Sequence, residues 1–341
     1  MAKQITLNDV AAQAGVSYQT VSRVVNNKAE ISEETRLRVL EVIRELGYRP
    51  NILARNLAAG RTRTLGVVTT ELYRFGPSRI ATGIQQRCQE LGFQLLLEWL
   101  DTLDNPAHRL DELAGRQVDA IVWLGPELED DLAWATRDCL DCLSPVVFCD
   151  FHPRPGLHVV SIENRQAAAD VTRHLLAQGR RRIGIITGPL ERAISRDRLA
   201  GWQDALREVG IEPDPSLVIT GDWSPASGEQ SFHTLLACNP NLDAVLASND
   251  RMALGVLHAA YATGRCVPQD LAVAGIDNIQ EAAFFTPPLT TVQQPLRELG
   301  RAAAQLAIDL AEARWHKRPA PAETAIVLPC ELIVRASSTL T

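Results

Sequence analysis

No run in this 341-residue chain approaches the roughly 20 apolar residues that a membrane-spanning helix needs. The opening MAKQITLNDVAAQAG has no apolar centre either, so it does not read as a secretory leader. A cytoplasmic location and no membrane partner are the expectations. Enzymatic signatures are also missing. No Gly-x-Gly-x-x-Gly follows a strand-like run and there is no Walker loop, which disfavours a nucleotide-using enzyme. Neither a Gly-x-Ser-x-Gly elbow nor a His-Glu-x-x-His pair occurs. The seven cysteines (Cys88, Cys139, Cys142, Cys149, Cys238, Cys266 and Cys330) are odd in number and scattered. They read mostly as small buried hydrophobes and not as a disulfide framework. Cys139-x-x-Cys142 has redox or metal spacing, but no second pair and no strand-to-helix redox context. No metal, cofactor or catalytic residue is therefore expected, and the chain is not read as an enzyme.

Basic charge is short overall, with a net charge of -7, which taken alone argues against a nucleic-acid partner. The charge is unevenly placed. Residues 1–62 carry nine Lys/Arg against six Asp/Glu, a net of +3, which leaves -10 for the rest. A small basic head on an acidic body suits one DNA-binding domain attached to a body that does not touch DNA. The length suits two or three domains, and 46% hydrophobic residues suffice for a sizeable core.

The head reads as three short helices. Thr6, with Asp9 three residues on, predicts a capping-box variant opening a helix that carries Leu7, Val10, Ala11 and Ala14 on one face and stops at Gly15. Ser17 predicts the cap of a second helix through Tyr18, Gln19, Thr20, Val21, Ser22, Arg23, Val24 and Val25. Val21, Val24 and Val25 must face inward, which leaves Tyr18, Gln19, Ser22 and Arg23 outside. A third helix, capped by Ser32, is expected to bury Leu37, Leu40, Ile43 and Leu46 before ending at Gly47. Two helices joined by the tight Gly15-Val16-Ser17 turn, with a third across them, form a helix-turn-helix. Its second helix enters the major groove, where Gln can grip adenine and Arg guanine bidentately. The bland alternative, a helical packing unit with a solvated face, gives no reason to expose Tyr18 beside Gln19 and Arg23.

From residue 65 strand-like and helical runs alternate. LGVVTT, FQLLLEWL, DAIVWLG and PVVFCDF form one series, and RRIGIITG, SLVITGDW, DAVLASND and LAVAGIDN a second. Short aliphatic runs between helical segments imply parallel sheets covered on both faces, here two doubly wound subdomains. Ligands of such folds bind beyond the carboxyl ends of the strands. Polar residues stand there: Asp150, Asn249-Asp250, Asp277 and Trp223, with Arg198 read at the start of a helix. Asp, Asn and Arg groups sharing hydroxyls, with an aromatic face, are what a sugar needs. Any one of them alone reads better as a cap or a turn.

The run LNDVAAQAGVSYQTVSRVVNN resembles the signature of the lactose-repressor (LacI/GalR) family of bacterial transcriptional regulators, and the likeness extends over nearly the whole chain. It implies a helix-turn-helix domain at 1–49, a hinge helix and linker at 50–62, and a ligand-binding and dimerisation domain of two periplasmic-binding-protein-like α/β subdomains at 63–341. The DNA-facing set it implies is Thr6, Leu7, Ser17, Tyr18, Gln19, Thr20, Ser22, Arg23 and Asn26, then Asn51, Ala54, Asn56 and Leu57 in the hinge. The stretch Asn51–Ala59 is too short to be a stable helix alone. In this family DNA binding folds it, and Leu57 matches a leucine wedged into the minor groove. In the body the segments GPLERAISRDRLAGW, GDWSPASG, ASNDRMALG and PPLTTVQQPLRELG are similar to the family's. By that likeness Arg198, Asn249 and Asp277 hold sugar hydroxyls, Asp150 adds a polar contact, Trp223 stacks on the ring and Gln294 stands between the subdomains. Pro77, Ser78 and Ile80 match the pocket's other edge. Departures are Leu124 for an asparagine, Ile162 and Leu296 for phenylalanines, and Arg74 for a leucine, so the sugar itself could differ.

The partners so implied are pseudo-palindromic double-stranded operator DNA, a small sugar effector (a galactoside-like inducer by this likeness) and a second copy of the chain. A leucine-heptad tail for tetramers is not expected after ELIVR. The alternatives are a family member that needs a corepressor such as a purine, or a sugar carrier or enzyme on the same sheets.

Overall fold

The computed structural model describes residues 5–25, 31–48, 61–100, 106–125, 144–321 and 323–339. The expectations for Asn26, Asn51, Ala54, Asn56, Leu57 and the Cys139–Cys142 pair lie outside the described residues. The chain divides into two compact units, Met1–Thr62 and Arg63–Thr341.

The first unit holds helices α1 (Leu7–Ala14), α2 (Tyr18–Val25) and α3 (Glu33–Leu46). Thr6 and Asp9 form a capping box, with the Asp9 carboxylate accepting from Thr6 N at 2.8 Å. Gly15 ends α1 in the left-handed conformation, at φ 63°, where a side chain would be strained. The Ser17 hydroxyl accepts from Thr20 N and so opens α2. Val10, Ala14, Val21 and Val24 are buried together with Val39 and Val42. The third helix differs from expectation. Val39 and Val42 form its buried face, flanked by Ile43 and Leu46, while Leu37 and Leu40 are 60% and 40% exposed. The 39-42-43-46 spacing satisfies the helical period as well as 37-40-43-46 does, and packing against α1 and α2 selects it.

The second unit has two lobes. The first contains a six-stranded parallel sheet in the order β11-β5-β4-β3-β1-β2, from β1 (Thr64–Thr69), β2 (Gln94–Trp99), β3 (Ala120–Leu124), β4 (Val146–Cys149), β5 (His158–Ile162) and β11 (Thr324–Leu328). Helices α4 (Phe75–Glu90), α5 (Pro106–Gly115) and α10 (Leu296–Trp315) belong to it. The second lobe has a four-stranded parallel sheet, β7-β6-β8-β9, from β6 (Ile183–Thr187), β7 (Val218–Thr220), β8 (Ala244–Ala247) and β9 (Ala272–Ala274). Helices α6 (Asn164–Ala177), α7 (Ala193–Glu208), α8 (Pro225–Cys238) and α9 (Asp250–Ala262) cover it. A short antiparallel ribbon pairs β10 (Thr291–Gln293) with β12 (Glu331–Ile333). The eight strand-like runs read from the sequence are all strands, and β5, β10, β11 and β12 join them.

Each lobe has its own core. Burying a side chain such as Phe232 or Leu235 contributes roughly 1.5–3 kcal/mol. The chain passes between lobes three times: from β5 into α6, from β10 into α10, and from β11 into β12. Three short crossings at one edge leave a cleft between the carboxyl ends of the two sheets, and place the strand-end residues on its walls.

Candidate functional site

On the first unit, Tyr18 (51% exposed), Gln19 and Arg23 project outward from α2, opposite the buried Val21 and Val24. Thr20 and Ser22 are half-buried on its flanks, and Leu7 packs against the core. Thr6 and Ser17 spend their hydroxyls on the starts of α1 and α2. The Asp9 carboxylate already occupies the start of α1, whereas the cap of α2 is the uncharged Ser17, and Gln19 and Arg23, side chains able to bond base edges bidentately, stand exposed on α2.

In the second unit Arg74, Pro77, Ile80, Asp150, Arg198, Trp223, Asn249, Asp277 and Gln294 all line one cavity of about 150 Å³. Its centre is Arg198, which is 2% exposed. It does not open its helix, as expected, but sits in the second turn of α7 and points inward. Its Nε and Nη2 donate to Asn164 Oδ1 at 3.1 and 2.9 Å, and its Nη1 donates to the Ser248 carbonyl. Burial pulls its pKa down, opposed by Asp277 and Asp150, and the group remains a cation. Its guanidinium carbon stands 5.8 Å from the centre of the Trp223 ring. Gln294 lies between Arg198 and Asp277. With its oxygen toward Arg198 Nη2 and its nitrogen toward Asp277 Oδ1, both at 2.9 Å, each charged neighbour meets an atom of the matching kind, and the oxygen also stands 3.2 Å from Asn164 Oδ1. The opposite orientation serves only Asn164, at 3.2 Å, and turns oxygen on a carboxylate. We adopt the first.

Burial pushes the Asp277 carboxyl up to about 8, which Arg198 opposes and Asp250 reinforces. Asp250, also raised by burial, accepts from Thr291 Oγ1 and Ile279 N, so it ties loops together beneath the cavity. Asn249 caps α9 through Met252 N and donates to the Trp223 carbonyl at 3.1 Å. It positions the indole as much as it faces the cavity. Asp150, Trp223 and Asp277 have φ of 65°, 73° and 129°. Positive φ in non-glycine residues costs on the order of 1–3 kcal/mol each, and such strain concentrates at functional sites. The Trp223 ring lies on Gly188, where any Cβ would come within 2.0 Å of it.

Sequence reasoning missed Asn164, which receives both donors of Arg198. It follows β5, and a five-residue strand containing His158 and Ser161 had not been read as one. Ser78 does not reach the cavity, and its hydroxyl donates to the Phe75 carbonyl. A wider hollow of about 890 Å³ adjoins the cavity at Asp150, Ala193 and Ile194. Its charged walls are largely paired with one another, as Arg165–Asp204 and Arg173–Glu208, and offer less to a ligand.

Buried cation, amides, carboxylates and an indole around a two-lobed cleft, carried on a chain with a helix-turn-helix unit, define a ligand-responsive transcriptional regulator. The chain belongs to the lacI family of bacterial regulatory proteins. That family's model matches residues 6–51, and a periplasmic binding protein-like domain matches 172–338. It is 35% identical to the HTH-type transcriptional repressor CytR of Escherichia coli K12, over 98% of this chain and 96% of that one. A lac repressor dimer bound to operator and the anti-inducer ONPF has 30% identity and a TM-score of 0.87, covering 99% of this chain and 100% of that one. A transcriptional regulator CelR–cellobiose complex has 34% identity and a TM-score of 0.71, covering 98% and 99%. The chain is thus a DNA-binding transcriptional repressor of this family.

Proposed function

We propose that the chain represses transcription as a homodimer on a pseudo-palindromic operator in the cytoplasm, and that a small sugar entering the cleft releases it. The observation that carries the effector half is the buried Arg198–Asn164–Gln294–Asp277 network beside Trp223. It offers fixed donors and acceptors to hydroxyls and an aromatic face to ring C–H groups. A cavity of about 150 Å³ is below the roughly 300–1,000 Å³ of drug-sized sites, which favours a monosaccharide-sized ligand. Galactose and simple galactosides are the first probes. Leu124 and Leu296 on the walls offer no polar contact to an aglycone.

The reading of DNA rests on Gln19 and Arg23 at the exposed face of α2, with Tyr18 beside them. The dimer reading rests on large apolar side chains left in water: Tyr73 and Trp99 on the first lobe, Leu254, Tyr261 and Phe284 on the second. Operator affinity measured by fluorescence anisotropy, with and without sugars, tests the whole. Weaker DNA binding on sugar addition supports induction. Tighter binding would replace it with corepression, for which purines are the next probes.

A further inference from the structure

Two long helices start at the rim of the cavity, one from each lobe. α4 begins at Phe75 and α7 at Ala193, and no side chain caps either. Their N-cap residues are Arg74 and Arg192, and both line the cavity. Ser, Thr, Asp or Asn is favoured at such a position because its oxygen accepts from the open helix N–H groups. Arginine cannot accept, and its charge opposes the positive end of the helix dipole. Two such placements facing one cavity are poor helix design unless something anionic belongs there.

One carboxylate of the protein answers both arginines. Glu71 lies 2.9 Å from Arg74 Nε, accepts from Arg74 Nη2 at 3.1 Å, and accepts from Arg192 Nη2 at 2.7 Å. Partial burial alone would raise its pKa, but the two guanidiniums hold it below the ordinary carboxylate range. The hold on Glu71 comes with a left-handed backbone, at φ 46°, in a turn closed by Arg74 N on the Glu71 carbonyl. Arg251, in the first turn of α9, lines the same cavity and adds a third cation. Among the described residues, no hydrogen bond joins Glu71, Arg74 or Arg192 to Arg198, Asn164, Gln294 or Asp277.

We propose that the rim is an anion-binding subsite now occupied by Glu71, and that the effector is a small polyol bearing a phosphate or carboxylate whose anion takes Glu71's place between Arg74 and Arg192. The inference rests on the cavity being the effector site. A polyol end then meets Arg198, Asn249 and Asp277, and the anion meets two helix starts and two arginines. The anion also bridges the lobes, as the Glu71–Arg192 ion pair does now. A neutral sugar would leave Glu71 in place and gain nothing from either arginine.

Calorimetric titration of the full chain at fixed ionic strength tests this, with glucose, glucose 6-phosphate and gluconate, and with the galactose counterparts. An anionic derivative of at least one sugar should bind about tenfold or more tighter than its neutral parent, as charge-assisted bidentate contacts predict. Preference for the ester identifies a sugar phosphate, and preference for the acid identifies a sugar acid. Arg74→Gln and Arg192→Gln should erase that advantage. Glu71→Gln should tighten the anionic ligand several-fold, because it removes an internal competitor, and a merely damaged site cannot gain affinity. A neutral sugar binding as tightly as its anionic derivative, with no response to these variants, overturns the anion subsite and leaves the cavity's role standing. Failure of every sugar to bind a chain that still binds operator overturns the subsite and the sugar effector together.

Discussion

Arg198 is fully desolvated, yet its guanidinium spends donors on Asn164, Ser248 and Gln294, so the cation is held by dipoles before any ligand arrives. Asp277 beside it is the more sensitive group. Burial raises its folded pKa to about 8, from 3.8. A carboxyl whose folded pKa is raised binds more protons folded than unfolded, so acid favours the folded state and stability falls as pH climbs from the ordinary carboxylate range to about 8. Asp277→Asn has no such proton to lose. Its Tm relative to the parent should therefore move upward as pH rises from about 5 to about 8, by scanning calorimetry. A constant difference across that range would mean that Asp277 is ionised throughout. Arg23 carries a separate expectation in the first unit. Arg23→Ala should relax the preference at one guanine of each half-site by about 1–3 kcal/mol, read from binding to single-base operator variants. Unchanged preferences at every base would remove Arg23 from the reading set.

Helix packing sets the frame in which these residues meet. Gly83 of α4 lies against the Arg297 carbonyl, and Gly300 of α10 against the Ile80 carbonyl, so the two backbones touch with no side chain between them. A Cβ at Gly83 would stand 2.1 Å from that oxygen, so α4 and α10 must separate to admit one. Gly83→Val should cost about 1–3 kcal/mol or more in chemical denaturation, through overpacking. An unaltered midpoint would show that the helices slide freely. The sequence made the long helices, the Thr6 and Ser17 caps and the aliphatic strands legible, because each carries its own local signal. Strand β5 carried little, since His158 and Ser161 interrupt a five-residue run and pairing with β4 and β11 makes it a strand. Losing β5 hid Asn164 at its end. The buried stripe of α3 was ambiguous for another reason: two sets of apolar positions satisfy one period, and only the neighbours decide between them. The Glu71–Arg74–Arg192 cluster joins residues more than a hundred positions apart, which no local pattern encodes.

Among the described residues, few side-chain bonds join the two lobes beyond the three crossings. Glu71 pairs with Arg192, Arg74 donates to the Asp222 carbonyl at 3.3 Å, Asn164 Nδ2 donates to Asp150 Oδ1 at 3.4 Å, and His152 meets Asp197 at 2.9 Å. Partly exposed pairs of this kind contribute little each, so the lobes can hinge at small cost. We expect ligand to bias that hinge and thereby the spacing of the paired DNA-binding units in a dimer. One such unit makes too few contacts for a specific site, so the dimer is a condition for repression. Tyr261→Asp with Phe284→Asp should yield a monomer in sedimentation and lose specific operator binding, because both side chains are 86% exposed in the single chain. In the intact dimer the effect of ligand on DNA must be matched by an equal effect of DNA on ligand. The coupling free energy is typically about 1–3 kcal/mol, or roughly 5–150-fold. Asp277 contributes to the cavity and lies outside the DNA-binding unit. Asp277→Ala should therefore hold operator as the parent does and fail to release it at sugar concentrations that free the parent. Anisotropy titrations of operator, run with and without sugar on both proteins, read this directly. Normal release by the Asp277→Ala protein would place the effector somewhere other than this cavity. Loss of operator binding without any sugar present would mean that Asp277 supports the dimer or the fold instead of the switch.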